Sequence, residues 1–321
     1  MGNITSLSFL MFRFVDYVPV QEFVEYIDSY NKTYESPETY QIAYDNYVYN
    51  KERILNPPYF YKHGLDFNEF MDIHPTDFHR NYKGYKNVKK TRSCKTFQSN
   101  TNASTLPDTV DWRTNNAVTP VKNQGQCGSC WSFSATGAME GAWAIHAGSL
   151  ESLSEQQLID CSVSYGDLAC NGGEMDSAFR YAIDHGMCTE DEDPYQEASD
   201  SCIDCDTQAT FSTCVDVTSN NQLHLKEAVA QGPVSVAIEA DTAAFQFYSG
   251  GIINNNACGT QLDHGVLVVG YGEEDGQLYW LVKNSWGTTW GDQGYVKIAR
   301  TDSENDPGVC GIAMQPSYPV V

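Results

Sequence analysis

The spacing of apolar and aromatic positions changes character along the chain. Phe23, Tyr26, Tyr30 and Tyr34, then Tyr40, Tyr44 and Tyr47, recur mostly three or four residues apart. That period predicts a helical first segment up to about residue 55, which Pro57 and Pro58 stop. Beyond residue 106 the period is helical again. Ser129 to Ala147 carries Trp131, Phe133, Met139, Trp143 and Ile145 and ends at Gly148. Ser154 to Ile159 opens with Ser154 and Gln157 in capping-box spacing, and Met175 to His185 closes at Gly186. After Gly232-Pro233 the runs become short and β-rich: Val234 to Ile238, Gly265 to Val269, Tyr279 to Val282 and Tyr295 to Ile298. Helices first and strands second predicts an α+β domain of a helical half and a β-rich half with a cleft between them.

Length and composition are those of a folded protein: 321 residues, 41% hydrophobic and 19% charged, enough for a substantial core. The net charge of −23 repels phosphate backbones and anionic lipid, which excludes nucleic acid and membrane surfaces as primary partners. No apolar run approaches the roughly 20 residues of a membrane span. The charge is distributed unevenly. Residues 1–105 hold 12 basic and 12 acidic side chains, whereas residues 106–321 hold 7 basic and 30 acidic and carry the whole imbalance. Ten of the 11 cysteines also follow residue 106. The chain therefore divides into an N-terminal leader (1–22), a first segment (23–79), a basic linker (80–105) and a main domain (106–321). The linker holds Arg80, Lys83, Lys86, Lys89, Lys90, Arg92 and Lys95 with no acid up to Lys95, then Ser, Thr and Asn, a cleavable composition. Eleven cysteines point to an oxidising compartment, and the odd number to disulfides with at least one free thiol.

The sharpest local pattern is Gln124-Gly125-Gln126-Cys127-Gly128-Ser129-Cys130-Trp131, just before the long helix. Cys130 would sit at a helix N-terminus, where unpaired N–H groups and the dipole favour a thiolate. A free thiol is only on the order of 0.03% ionised at about pH 5, so a second group must share the work. His264 opens a strand and Asn284 closes a later one, so adjacent strands bring them together. His264 would form the ion pair and protonate a leaving amine, Asn284 would orient the ring, and Gln124 would donate to an oxyanion beside the Cys130 N–H. Other readings carry less. Cys127-x2-Cys130 and Cys202-x2-Cys205 are too far apart for a compact zinc ribbon. His146, His185 and His224 read as surface or packing residues, and Gly270-x-Gly272 is too short for a nucleotide loop.

With these residues, Cys170-Asn171-Gly172-Gly173, Asn284-Ser285-Trp286-Gly287, Trp290-Gly291 and Cys310-Gly311-Ile312 stand in the order of one family. Residues 106–321 resemble the papain-like cysteine proteases of the cathepsin L and plant endopeptidase type. The resemblance implies Cys130 as nucleophile, His264 as acid and base, Asn284 as orienter, Gln124 as oxyanion donor and Trp286 as a shield over the His–Asn bond. It implies that Gly172 and Gly173 pair with substrate backbone and that Met175, Ala237, Leu262 and Gln315 line the main specificity pocket, with Glu174 at its rim. Gln315 is polar where small or apolar residues are frequent, and Glu174 adds a preference for basic substrate residues. It pairs Cys127 with Cys170, Cys161 with Cys202 and Cys258 with Cys310. Cys188, Cys205 and Cys214 are left over, with room for one further bridge among them, and so is Cys94 of the linker. No metal or cofactor is implied.

Residues 23–79 resemble the family's inhibitory prosegment. Asn68, Phe70 and Asp72 fit its GxNxFxD motif, with Asp66 in place of the glycine, and Tyr47, Asn50 and Ile54 fit its helical motif. Thr39, Ala43 and Pro58 replace that motif's Glu, Arg and last Asn. The whole chain thus reads as a cysteine endopeptidase zymogen, released by a cut between about residues 95 and 107 in an acidic compartment, where protonation loosens the basic linker from the acidic domain. Its expected partners are protein and peptide substrates, its own prosegment and cystatin-like inhibitors, and it is expected to be a monomer. A non-enzymatic storage or binding relative would have lost the nucleophile, and an exopeptidase would carry a loop insertion, which residues 106–321 do not obviously contain. Sequons at Asn3, Asn31 and Asn102 agree with transit through the secretory pathway to a lysosome, a vacuole or the exterior. The N-terminus shows no clear signal: Leu7 to Phe12 is short and is followed by Arg13 and Asp16. Met1 to Ser6 fits the short myristoylation pattern, but a lipidated cytosolic chain leaves the disulfides unexplained.

Overall fold

Asn31 adopts a left-handed φ of 48°, and this divides the N-terminal helical pattern in two. The computed structural model describes residues 20–59, 61–86, 94–99, 105–254 and 257–321. The leader with Asn3, the connector residues Lys89, Lys90 and Arg92, and Asn102 lie outside them. Instead of one helix to residue 55 there are α1 (20–29) and α2 (Pro37–Leu55). Ser36 caps α2 by accepting the Thr39 N–H, and Thr39 Oγ1 accepts the Ser36 N–H in return. Pro37 follows at the first helical position, so strong local start signals override a continuous aromatic period. The aromatics still do what their spacing predicts. The Phe23 ring packs on Tyr26, Tyr34, Tyr40, Tyr44 and Tyr47 with centroids 5.2–6.0 Å away. Asp72 accepts from Tyr26 Oη (2.7 Å), Tyr34 Oη (2.8 Å) and Lys32 Nζ (3.0 Å). Lys32–Asp72 thus ties the α1–α2 turn to the Asn68–Asp72 motif where the helical motif has lost its Glu and Arg. Next come β1 (Gly64–Leu65) and α3 (Pro75–Asn81).

The chain continues with β2 (Lys95–Thr96) and β3 (Val110–Asp111), followed by α4 (Cys130–Ala147), α5 (Glu155–Cys161) and α6 (Met175–His185). The order then runs β4 (Thr213–Asp216), α7 (Gln222–Val229), β5 (Val234–Ile238), α8 (Ala243–Gln246), β6 (Tyr248–Gly250) and β7 (Ile252–Ile253). It ends with β8 (His264–Glu274), β9 (Gln277–Lys283), β10 (Tyr295–Ala299) and β11 (Ser317–Val320). The main sheet is ordered β2-β4-β11-β5-β8-β9-β10-β7, with β3 also on β8. The expected helices and strands are present, β8 running further than expected; α3, α7, α8, β1 to β4, β6, β7 and β11 are additional.

Helix α4 is buried on most sides because it lies between the halves. Ser134 Oγ donates to Val266 O (2.6 Å) and Ser235 Oγ to Ser134 O (2.7 Å), which joins the helix to β8 and β5. A buried ionic knot adds a second tie: Lys122 Nζ contacts Glu140 (3.0 Å) and Glu155 (2.7 Å). Disulfides join Cys127 to Cys170, Cys161 to Cys202 and Cys258 to Cys310. Of the leftover cysteines, Cys188 pairs with Cys205, and Cys214 pairs with Cys94 across the expected domain boundary. The one further bridge expected among the three is Cys188–Cys205; the Cys94–Cys214 bond, which reaches across residue 106, was not expected. Among the described residues Cys130 is the free cysteine.

Candidate active site

Strand register places the two ring partners. His264 is the first residue of β8, opposite Ile238 of β5, and Asn284 is the residue just past the end of β9, which pairs with β8 through Val268↔Val282 and Leu267↔Lys283. Neighbouring strands therefore deliver both side chains to one edge. His264 Nε2 lies 2.8 Å from Asn284 Oδ1. Its partner there is an acceptor, so Nε2 carries the proton and Nδ1 is left as the basic nitrogen. Trp286 covers this bond, its ring centroid 4.7 Å from that of His264, and Phe245 and Trp290 pack behind it.

Cys130 is the first residue of α4, and its Sγ accepts N–H groups from Gly265 (3.2 Å) and Gly84 (3.1 Å). Gln124 is held from three sides: its N–H donates to Ser285 O (2.8 Å), its Oε1 accepts Ser285 Oγ (2.7 Å), and Tyr195 Oη donates to its carbonyl (2.6 Å). That fixes the direction of Nε2, which donates to Cys127 O (3.0 Å) and Tyr82 O (3.2 Å). Ser285 and Tyr195 escape sequence reading. Ser285 could have been found from its place beside Asn284; Tyr195 comes from a distant loop with no spacing signal.

Tyr82 to Lys86 run through the cleft. The Tyr82 carbonyl accepts from Gln124 Nε2 and from Trp286 Nε1 (3.1 Å). Gly84 presents its N–H to the sulfur, and a Cβ there would lie 1.9 Å from Gly128 O, so only glycine fits. Gly173 N donates to Gly84 O (2.8 Å) and Lys86 N to Gly173 O (2.9 Å). Gly172 has φ +110°, and a Cβ there would meet Gly84 O at 2.6 Å. Of the two expected backbone-pairing glycines, Gly173 pairs with residues 84–86 while Gly172 bonds Ala169 and Leu168 within its own loop and leaves room for the Gly84 carbonyl; Asp167 Oδ1 braces the next residue through the Glu174 N–H (2.9 Å).

Met175 and Ala237 share one buried apolar cluster with Tyr85, and Leu262 packs against it. Glu174, next to the covered Gly173, is 2% exposed in this closed form and is the N-cap residue of α6. Gln315 lines a surface pocket with Thr96, Asp176 and Asp216. Of the linker cations, Lys83 reaches Asp263 Oδ2 (2.7 Å), Asp241 Oδ2 (3.9 Å) and His79 Nδ1 (2.7 Å), whereas Arg80 turns back on Asp77 (3.4 Å). Phe70 and Phe78 pack edge-on against Trp286, and β1 pairs with β6.

This cover controls the electrostatics. Burial pushes the Cys130 thiol up to about 12 from an ordinary value of 9.0. Burial likewise pushes the His264 imidazolium down to about 3, with the Asn284 hydrogen bond opposing and the Lys83 charge reinforcing the shift. Under the prosegment both groups are neutral. The thiolate–imidazolium pair is not the state of the closed molecule.

The profile described as papain family cysteine protease matches residues 106–320. A cathepsin L-like peptidase of Aedes aegypti is 45% identical over 311 residues, covering 91% of this chain and 90% of that one. Cathepsin L of Sarcophaga peregrina is 55% identical over 223 residues, covering 68% of this chain and 65% of that one. The solved structure of digestive procathepsin L 3 from the larval midgut of Tenebrio molitor matches with TM-score 0.84 and 40% identity over 94% of this chain and 99% of that one. A recombinant stem bromelain precursor matches with TM-score 0.86 and 33% identity at the same coverages.

Proposed function

Because the chain belongs to the papain family of cysteine proteases and is a cysteine endopeptidase in zymogen form, we propose that Cys130, His264, Asn284 and Gln124 carry its chemistry and that residues 82–86 hold it off. The observation that carries the reading is the Tyr82 carbonyl, which accepts from Gln124 Nε2 where a substrate carbonyl oxygen would gain charge, two residues before the Gly84 N–H that meets the Cys130 sulfur.

Once the prosegment leaves and water enters, the proton moves from Cys130 Sγ to His264 Nδ1. The thiolate attacks the peptide carbonyl, and negative charge on the carbonyl oxygen is met by Gln124 Nε2 and the Cys130 N–H at the head of α4. The His264 imidazolium protonates the leaving amine, then takes a proton from the water that hydrolyses the acyl-enzyme. Asn284 keeps the ring facing the sulfur, and Trp286 keeps water off the bond that does so. The bound sequence is not cut, since Gly84 offers the sulfur an N–H and no carbonyl carbon.

Gly172 and Gly173 pair with substrate backbone, and Met175, Ala237 and Leu262 line the principal side-chain pocket with Gln315 and Glu174 nearby. Protein and peptide chains are the substrates, cystatin-like proteins are inhibitors that fit the same cleft, and the enzyme works as a monomer in an acidic or extracellular compartment of the secretory route. Incubation at about pH 4.5 with a thiol reductant should generate activity on a peptide substrate. Cys130→Ser should abolish it by at least about 10³-fold, and full activity in that variant would refute the assignment.

A further inference from the structure

Cys94 lies in the linker, yet its bond to Cys214 fastens it to β4 of the catalytic domain. The residues after it are built into that domain as well. β2 adds parallel to β4, Lys95 opposite Val215 and Thr96 opposite Asp216, as the end strand of the main sheet. The Phe97 N–H donates to Asp216 O (2.9 Å), and the Phe97 side chain is buried in the core cluster that holds Val217, Leu225 and Ala228. Its ring lies 5.4 Å from that of His224, and Ser99 Oγ bonds Glu227 (2.7 Å). Cys94 and Cys214 are 7% and 3% exposed, so the bond is sheltered from reductants. Thr96 also forms part of the wall of the pocket holding Gln315. The family match begins only at residue 106, downstream of all these contacts.

We propose that residues 94–99 are a permanent strand of the mature enzyme and that only a cut N-terminal to Cys94 frees the prosegment. A cut between Cys94 and residue 106 produces a two-chain molecule whose inhibitory segment stays covalently attached. Seven residues separate Lys86 in the cleft from Cys94. A tether of that length keeps the inhibitor at an effective concentration on the order of millimolar, which dilution does not change. The activation region expected from sequence, about 95–107, is therefore on the wrong side of the disulfide. The proposal rests on residues 82–86 being the inhibitory segment.

The test replaces residues 101–104 with the recognition sequence of a site-specific protease, in the full chain and in a Cys94→Ser, Cys214→Ser double variant. Both are cut at neutral pH without added thiol. Denaturing mass analysis without reductant should show one covalent species for the parent and two chains for the double variant. On about 100-fold dilution the cut parent should stay inhibited, while the double variant gains activity at least about tenfold as its prosegment leaves. A cut parent that separates into two chains, or that gains activity on dilution as the double variant does, overturns the proposal. If the double variant fails to fold, the parent decides through its mature N-terminus after thiol-free acid activation. A start at or before Cys94 supports the strand's retention, and a fully active enzyme starting between residues 95 and 106 refutes it. Inactivity of every form, with the cut parent still one species, would count against the proteolytic reading while leaving the tether intact.

Discussion

The Gly84 N–H points at the Cys130 sulfur from 3.1 Å, and the backbone there is so close to Gly128 O that no Cβ fits. Inhibition is therefore a matter of backbone approach. Gly84→Ala should push the strand out of the cleft without touching the catalytic domain. Its proenzyme should process itself at least about tenfold faster than the parent at the same pH, a loss of more than about 1.4 kcal/mol of closure. Time courses on gels check this, and unchanged processing would show that the contact does not hold the cleft shut.

Among the described linker cations, Lys83 is buried against a carboxylate, its side chain 1% exposed beside Asp263. Lys83→Met keeps the length but strands a buried carboxylate, a change on the order of 3–5 kcal/mol in comparable pairs. The variant proenzyme should show measurable activity at neutral pH, where the parent shows none. Arg80→Met, which breaks only an exposed pair with Asp77, should leave inhibition as it was.

The neutral dyad of the closed form sets a pH signature. Cys130 is fully buried in the closed form and its thiol is held at about 12, so across the neutral range iodoacetamide should reach it in the proenzyme only through opening, far more slowly than in the freed enzyme. The freed enzyme should react fast and nearly independently of pH across that range. Opening moves one proton from sulfur to ring and takes up none, so the dyad adds no pH dependence to opening in the parent. In Cys130→Ser the ring titrates alone. Its value is depressed in the closed form, from 6.5 to about 3. The closed state is then fully stable above about 6.5 and loses up to about tenfold per pH unit as pH falls towards 3. Proteolytic susceptibility of the prosegment against pH reads this directly.

Gln124 Nε2 already grips a carbonyl in the closed form. Gln124→Ala should lower kcat on a small peptide substrate by about 10²- to 10³-fold, with KM little changed. Asn284 and His264 remain paired in this variant, so epoxide labelling of Cys130 should persist. Loss of labelling would mean that Gln124 supports the nucleophile instead of the oxyanion.

The candidate site was legible where chemistry forces residue type: a cysteine at a helix start, a histidine opening one strand, an asparagine ending another and a glutamine six residues upstream of the cysteine. Helices α4 to α6 and strands β5, β8, β9 and β10 were legible because their apolar periods are long enough to count. The break at Asn31 was hidden beneath a nearly unbroken row of aromatics. β4 and β11 are four residues each, and their partners are remote in sequence, so no local pattern marks them. The Cys94–Cys214 bond was out of reach for the same reason. It depends on a strand pairing between the linker and the catalytic domain, and pairing between distant segments leaves no trace in spacing.

Active-site titration with an epoxide thiol inhibitor, read by peptide mass spectrometry before and after acid activation, tests the central claim most directly. The account predicts negligible labelling of the intact proenzyme at neutral pH and one label per activated molecule, on Cys130. Equal labelling before activation, or a stoichiometric label on any other cysteine, would contradict it.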